Sequence, residues 1–349
     1  MPEEWKHGLI CPVYKKGDPM QCKNYRAITL LTTTYKVFAK ILHLRLKPYA
    51  EKILGSYQSG FRQGKSTIDQ IFTLRQILEK TKEFNIETHH LFIDFRSAYD
   101  SVKRKELYIA MREFEIPEKL IRLTKMTMEK SQNSVKIQTD ITDPFQTWNG
   151  LRQGDSLSCL LFNLVLEKIV RDAGIQLRGN IYYKSVQLLA YADDVDIIGR
   201  TEADIKKTFI ALNEAAVKMG LQVNEEKTKY MICNENKKKI QGRTDQQLKI
   251  GENRFEKVQS FVYLGSQMNV ANSEKQEINI RIRNANKCYF GLIRYFRSKL
   301  LTYSTKVRLY KTLIKPVLMY GSETWVLNEN DQKNLVYLNE RYLERYMGQ

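Results

Sequence analysis

Residues 188–198 read "LLAYADDVDII" and place two adjacent acids, Asp193 and Asp194, between two apolar runs. Each run taken by itself has the composition of a buried strand. Carboxylates about 4 Å apart repel by roughly 4 kcal/mol at an effective dielectric near 20, so a core segment with both acids at its centre needs compensation. One solution is a hairpin whose Ala192-Asp193-Asp194 tip reaches water, since aspartate is common in turns and hydration relieves the repulsion. The other is a metal site, because hard divalent cations select carboxylate oxygens and a hairpin tip holds them rigidly. The stretch alone leaves both readings open.

Working outward, 349 residues exceed what one core usually serves, which predicts two or three subdomains. A hydrophobic content of 42% with only seven prolines predicts a folded chain. The net charge of +18 is unevenly spread. Residues 1–93 carry 15 basic and 8 acidic side chains, residues 94–274 carry 28 and 25, and residues 275–349 carry 14 and 6. Basic ends flanking a balanced middle point to a polyanionic partner, of which nucleic acid is the commonest. Cys11, Cys22, Cys159, Cys233 and Cys288 form no C-x-x-C pair and the histidines form no H-x-x-x-H, so a zinc site or disulfide framework is not expected. With neither a signal-peptide core nor an apolar run long enough to span a bilayer, the expectation is an intracellular protein of nucleus and/or cytoplasm, not secreted and without a membrane partner. Lys237-Lys238-Lys239 reads as a solvated loop or a weak import signal.

Helices and strands alternate along the chain. "STIDQIFTLRQILEK" opens with a capping-box pair, Ser66 and Asp69, and then sets Ile71, Leu74, Ile77 and Leu78 on one helical face. "HHLFIDF", residues 89–95, is a short apolar run ending in Asp94, as a buried strand would be. "SVKIQ" alternates like a half-exposed strand, with "FQTW" as its partner. "CLLFNLVLEKIVRD" reads as a helix, and so does "DIKKTFIALNEAAVKMG", closed by Gly220. Two basic amphipathic helices follow, "EINIRIRNANKCYFGLIRYF" and "TKVRLYKTLIKPVLMYG", the second broken at Pro316.

Asp94, at the end of a buried strand, lies 99 residues before Asp193, and if the two strands lie side by side in one sheet, Asp94, Asp193 and Asp194 converge. Phosphoryl transfer uses such a cluster, because two metals about 3.5–4 Å apart activate the attacking oxygen and steady the leaving one. With a basic surface, the composite points to a nucleotidyl transferase or nuclease acting on nucleic acid.

Seven stretches in one order then carry a resemblance. "GLICPVYKKGD" with "NYRAITLL", "SGFRQGKSTIDQI", "FIDFRSAYDSV", "NGLRQGDSLSCLLFN", "YADD", "MGLQVNEEKTKYM" and "FVYLG" resemble the successive blocks of the reverse transcriptase domain of non-LTR (LINE-type) retrotransposons. The resemblance implies an α+β right-hand polymerase of fingers, palm and thumb, with an antiparallel palm sheet backed by helices. It divides the chain into fingers (1–89), palm with the first acid (90–108), a fingers/palm connection (109–149), palm (150–272) and a thumb-like basic helical region (273–349). The implied activity is RNA-directed DNA polymerase, with an RNA template, a DNA primer and dNTPs as partners and two Mg2+ ions, or Mn2+, as cofactor.

By the same resemblance, Asp94 and Asp193 bridge both ions, Asp194 supports the cluster and the Phe95 carbonyl adds a ligand. Lys15 or Lys16, with Arg26, faces the incoming triphosphate, and Gln153 and Gly154 lie against template base and nucleotide. Lys227 protonates departing pyrophosphate, Tyr99 lies beneath the nucleotide sugar, and Tyr263, Leu264 and Gly265 form the primer grip. Each has a plainer alternative: loop charges for the lysines, a surface-helix lysine for Lys227, a turn for Gln153-Gly154, hairpin packing for Tyr263 and its neighbours, and a core aromatic for Tyr99. Tyr57 and Phe61 read as template-stacking or core aromatics, and Asp100 as structural. Ala27 and Cys159 stand where the family usually has proline. The chain starts just before the first block and ends without a zinc knuckle, so the alternative expectation is a non-catalytic nucleic-acid-binding relic or domesticated fragment.

Overall fold

A computed structural model describes residues 1–175, 186–234 and 246–347; the Lys237-Lys238-Lys239 run lies outside them. The chain forms two compact units, as far as their residues are described. The first comprises Met1–Ser66, His89–Tyr230 and Asp245–Glu256, and the second Thr67–Thr88, Met231–Thr244 and Lys257–Gln349.

The first unit opens with strands β1 (His7–Tyr14) and β2 (Tyr25–Leu30), an antiparallel pair in which Val13 faces Arg26. Helix α1 (Thr33–Ile53) follows and buries Tyr35, Ala39, Leu42, Leu46 and Ala50, an i, i+4, i+7 spacing that puts one stripe inward. "HHLFIDF" forms β3 (Thr88–Ile93), buried at every residue, and the short helix α3 (Ala98–Ser101) comes next. Helices α4 (Arg104–Glu113) and α5 (Glu118–Met128) lead to β4 (Gln132–Ile137), β5 (Asp140–Ile141) and β6 (Phe145–Gln146). As the alternation of "SVKIQ" predicts, β4 joins the β1–β2 pair, parallel to β1, with "FQ" of β6 against it at Gln132↔Gln146.

Helix α6 (Ser158–Asp172) is buried on almost every face, as its run of Leu, Phe, Val and Ile requires. Strands β7 (Val186–Tyr191) and β8 (Asp194–Gly199) form a hairpin, and helix α7 (Glu202–Met219) closes at Gly220 with φ 95°. With β9 (Lys229–Cys233), β10 (Gln247–Ile250) and β11 (Asn253–Lys257), these strands build a six-stranded sheet in the order β10-β11-β9-β3-β8-β7. The pairs β3–β8, β7–β8 and β10–β11 are antiparallel. Helices α4, α6 and α7 pack on one another, and α7 packs on β8. The mixed α and β content, with a sheet backed by helices, is the class the sequence predicts.

The second unit contains helix α2 (Thr67–Glu83), the hairpin of β12 (Ser260–Tyr263) and β13 (Ser266–Asn269), and a C-terminal set of helices. A cluster of Ala285, Tyr289, Phe296, Tyr310, Ile314, Leu318 and Leu338 gives those helices their own core. Two boundaries differ from the expectation. The first basic segment forms two helices, Lys275–Gly291 and Ile293–Arg297. The second is not broken at Pro316: it runs through Tyr303–Leu309, widens to a π turn at Tyr310–Ile314 and continues as Lys315–Met319. Proline has no N–H and its ring crowds the carbonyl four residues back, so the helix widens ahead of Pro316 and does not stop there.

Candidate active site

Register brings the three acids together. Strands β3 and β8 pair from His89↔Gly199 to Ile93↔Val195, so one step further along the same register sets Asp94 opposite Asp194. On the other side of β8, Tyr191↔Asp194 closes the hairpin and leaves Ala192 and Asp193 as its two-residue turn. Ala192 has φ 56°, a left-handed conformation that costs a non-glycine residue about 1 kcal/mol or more. The acids of the opening stretch therefore sit at a hairpin tip, and the two flanking runs are the strands of one sheet.

Asp94 is held by the loop after α7. Its N–H donates to Thr228 Oγ1 at 3.2 Å, and its main-chain carbonyl accepts the Asn224 N–H at 2.8 Å. Asn224 Nδ2 donates to Asp94 Oδ2 at 3.1 Å, and Lys227 Nζ lies 3.3 Å from the same oxygen. Phe95 bridges Val223 through the carbonyls of Asp94 and Gln222, so its own carbonyl is outside those two bonds. Neither Asn224 nor Thr228 carries a sequence signal of its own; both lie beside Lys227 in "VNEEKT", and only the loop's return to β3 reveals their reach.

Electrostatics couples the acids. Burial raises the pKa of Asp193 and Asp94 adds to it, while Lys227 and Arg26 oppose. Asp194 keeps solvent contact, yet the protein packed around its carboxyl, with Asp193 and Asp94, pushes its pKa up to about 6 against the pull of Lys227. The three carboxylates therefore share one field. Among the described residues no three Asp, Glu, His or Cys side chains are already drawn to a common metal-holding point. The donor chemistry of this cluster, all oxygen and in electrostatic deficit of positive charge, suits a hard divalent cation.

Of the other expected residues, Arg26 and Tyr99 are coupled electrostatically to Asp193. Lys15 and Lys16 follow β1 and are exposed; Lys15 opposes the upward push that burial gives the Asp100 carboxyl. Arg26 is exposed on β2 and acts on Asp193. Strand β2 also binds the Gln153-Gly154 turn, whose Gln153 carbonyl accepts the Thr29 N–H at 2.7 Å. Gly154 has φ 116°, and a Cβ there would lie 2.6 Å from the Thr29 carbonyl oxygen, so only glycine fits. Tyr99 stacks on Phe162 at 4.7 Å between centroids, and burial raises its phenol pKa, with Cys159 and Asp193 adding to the push. Tyr57 is a core residue: its hydroxyl donates to Glu167 at 2.6 Å. Phe61 is exposed and its ring lies 6.2 Å from that of Tyr191.

Sequence reading also missed Asp155, which follows Gly154. It is buried, accepts the Tyr35 hydroxyl and caps the Leu157 N–H at 3.0 Å, joining α1 to the start of α6. In the second unit, Leu264 (φ 47°) and Gly265 (φ 80°) form the tight turn between β12 and β13, and Tyr263 is buried. That turn is pinned by Tyr320, whose hydroxyl donates to the Leu264 carbonyl at 2.8 Å, and by Arg281 on the Gly265 carbonyl.

Residues 13–268 match the family model for reverse transcriptase (RNA-dependent DNA polymerase). The chain belongs to the reverse transcriptase family. Its relatives are the polymerases of non-LTR retrotransposons. A probable RNA-directed DNA polymerase from transposon X-element of Drosophila melanogaster is 27% identical over 93% of this chain and 36% of its own length. The RNA-directed DNA polymerase from mobile element jockey of the same organism is 21% identical over 99% of this chain and 38% of its own. A Transposon TX1 protein of Xenopus laevis is 26% identical over 66% of this chain and 18% of its own. The chain thus spans roughly a fifth to two fifths of these curated relatives. Among solved structures, a Candida tropicalis telomerase in complex with a telomeric RNA fragment superposes with a TM-score of 0.56 at 16% identity, covering 98% of this chain and 56% of that one. That likeness places the reverse transcriptase in the right-hand polymerase fold.

Proposed function

We propose that this reverse transcriptase is an RNA-directed DNA polymerase that extends a DNA primer on an RNA template by two-metal nucleotidyl transfer. The observation that carries the reading is the convergence of Asp94, Asp193 and Asp194 through the β3–β8 register, with Lys227 on the Asp94 carboxylate. Asp94, Asp193 and Asp194, with the Phe95 carbonyl, are the residues to hold two Mg2+ ions, or Mn2+. Bound there, the ions supply Lewis-acid stabilisation of the charge that develops on attacking and leaving oxygens.

The chain's own residues do the rest. Asn224 and Thr228 fix the Asp94 carboxylate and backbone, which holds one side of the cluster rigid. Arg26, Lys15 and Lys16 give the incoming triphosphate a cationic face, and the guanidinium suits phosphate by its fork geometry. The Gln153-Gly154 turn, bonded to β2, offers a backbone surface that a nucleotide can approach closely. Lys227 stands where it can give a proton to departing pyrophosphate. Tyr99, stacked on Phe162, forms the floor under the nucleotide sugar. The Tyr263-Leu264-Gly265 hairpin is assigned to the primer end. The exposed cations Arg283, Lys287, Arg294 and Arg297 serve the nucleic-acid backbone. Fingers, palm and thumb follow the divisions at 1–89, 90–108, 109–149, 150–272 and 273–349, and the working compartment is intracellular, nucleus and/or cytoplasm. Among the described residues no helix is long and apolar enough to cross a membrane.

The test is primer extension on an RNA template with Mg2+, comparing the parent with Asp193→Asn. Extension by the parent and its loss in the variant, with template affinity nearly unchanged, is expected, because affinity comes mainly from phosphate contacts. Extension within a few-fold of the parent would overturn the metal assignment. Template binding without extension by the parent would establish the non-catalytic alternative.

A further inference from the structure

Residues 57–60 run beside the catalytic hairpin as a strap. Gln58 pairs with Ala190 of β7 as a parallel bridge, the Ser59 N–H donates to the Ala190 carbonyl at 2.9 Å, and the Ala190 N–H donates to the Tyr57 carbonyl at 2.9 Å. Where the turn leaves this ladder, a side chain takes over from the backbone. Gln58 Oε1 accepts the Ala192 N–H at 2.9 Å, and Gln58 Nε2 donates to the Ala192 carbonyl at 3.3 Å. One carboxamide thus engages both polar groups of a single residue, as a partner in a strand pair does.

The carboxamide is itself fixed. Gln58 is 1% exposed, and its Oε1 also accepts the Gly60 N–H at 2.7 Å. The Gly60 carbonyl in turn accepts Asn163 Nδ2 of α6 at 2.8 Å. A Cβ at Gly60 would lie 2.2 Å from the Ala192 nitrogen, so strap and turn touch backbone to backbone. Ala192 is the residue that needs such support. Its φ of 56° falls at the first position of a two-residue hairpin turn, where glycine is the usual occupant, and this chain has alanine.

We propose that Gln58 is a positioning residue for the acidic pair: its carboxamide holds the Ala192 peptide in the left-handed conformation that sets Asp193 and Asp194 at the hairpin tip. The catalytic consequence rests on the polymerase reading; the conformational one rests on geometry alone.

The test is a double-mutant cycle on the full chain with Gln58→Ala, Ala192→Gly and their combination. Amide hydrogen exchange is followed over residues 188–194, with primer-extension kcat, nucleotide KM, template Kd and a melting curve on each protein. Gln58→Ala is expected to lose protection at the Ala192 amide and to lower kcat by roughly 30-fold, within the range that misplacing a reacting group produces, while KM and Kd stay within about three-fold. In the Ala192→Gly background the same change is expected to cost at most a few-fold, because glycine adopts positive φ unaided and the two effects couple. Gln58→Glu keeps the volume and the acceptor for the Ala192 N–H but loses the donor to its carbonyl. It replaces the alanine variant if truncation unfolds the chain, with the same coupling expected. Equal losses in both backgrounds, or an Ala192 amide that exchanges no faster, would show that Gln58 only fills space. If the parent itself does not extend a primer, the polymerase reading fails, and the exchange measurement still decides the conformational claim.

Discussion

Asn224 grips Asp94 twice, through its backbone N–H to the Asp94 carbonyl at 2.8 Å and through its side-chain amide to Asp94 Oδ2 at 3.1 Å. The backbone bond survives any substitution that keeps the loop, whereas the side-chain bond reaches a charged acceptor and is worth about 1.5–3 kcal/mol. Asn224→Ala is therefore expected to cut primer-extension kcat by about 10–100-fold and to raise the Mg2+ concentration at half-maximal rate, because it frees a carboxylate assigned to the cluster. Template affinity, measured by filter binding, should hold within two-fold. Unchanged kcat at saturating Mg2+ would remove Asn224 from the site.

The acidic cluster should register in stability as well as in rate. Asp194 has its folded pKa raised to about 6, above its ordinary value of 3.8, chiefly because the protein packed around its carboxyl displaces part of its water, and then by Asp193 and Asp94. The folded state therefore binds more protons than the unfolded one across that window, so this group's contribution to stability is complete below the ordinary value and is lost as pH rises through 6. In chelator-treated protein, Asp194→Asn is expected to raise Tm at pH 8 and to leave it nearly unchanged at pH 3.5. A Tm gain that does not depend on pH would show that the carboxylate is not the cause.

Tyr99 offers a test in which two roles predict different results. Its ring stacks on Phe162 and carries the floor assigned to the nucleotide sugar. Tyr99→Ala should raise ribonucleotide relative to deoxynucleotide incorporation by tens-fold if a clash worth about 2 kcal/mol is lost, and Tyr99→Phe should keep the parental ratio. The alanine variant should also lower Tm, since large-to-small changes in packed regions cost about 3–5 kcal/mol for an aromatic. Equal loss of both incorporation rates, with the ratio unchanged, would leave only the packing role.

The basic C-terminal helices make a prediction about salt. Arg283, Lys287, Arg294 and Arg297 are exposed around a core that uses none of them. Changing all four to glutamine should weaken template binding and make the slope of log K against log salt shallower by about 3, if each cation meets one phosphate at roughly 0.7–0.9 of a counterion apiece. A parental slope would assign nucleic-acid contact to other surfaces.

Much of this was readable in the chain because the decisive features are local. The run "HHLFI" is apolar throughout and forms a strand buried on both faces; "DIKKTFIALNEAAVKMG" forms a helix that stops at Gly220, where the backbone turns left-handed. Order supplied the rest of the family assignment: seven blocks in sequence are far more specific than any one. The second basic helix shows the limit of such reading. A proline marks a disturbance, but whether the helix breaks or widens to a π turn depends on packing around Tyr310 and Ile314, which are buried in the C-terminal core.

The sequence by itself determined that the acids exist, that two of them lie between two apolar runs and that the third ends a strand, because apolar runs are properties of neighbouring residues. Only the tertiary structure decided what holds them. The pairing of β3 with β8 sets Asp94 beside Asp194; Asn224 reaches Asp94 from a loop 130 residues away in sequence; Gln58 reaches the Ala192 peptide across 134. Asp155 meets Tyr35 across 120. Side-chain amides and carboxyls of this kind look like ordinary surface residues in the chain. Their partners are a carboxylate, a backbone peptide and a buried hydroxyl brought close by the fold, and long-range pairing leaves no periodicity in the sequence to read.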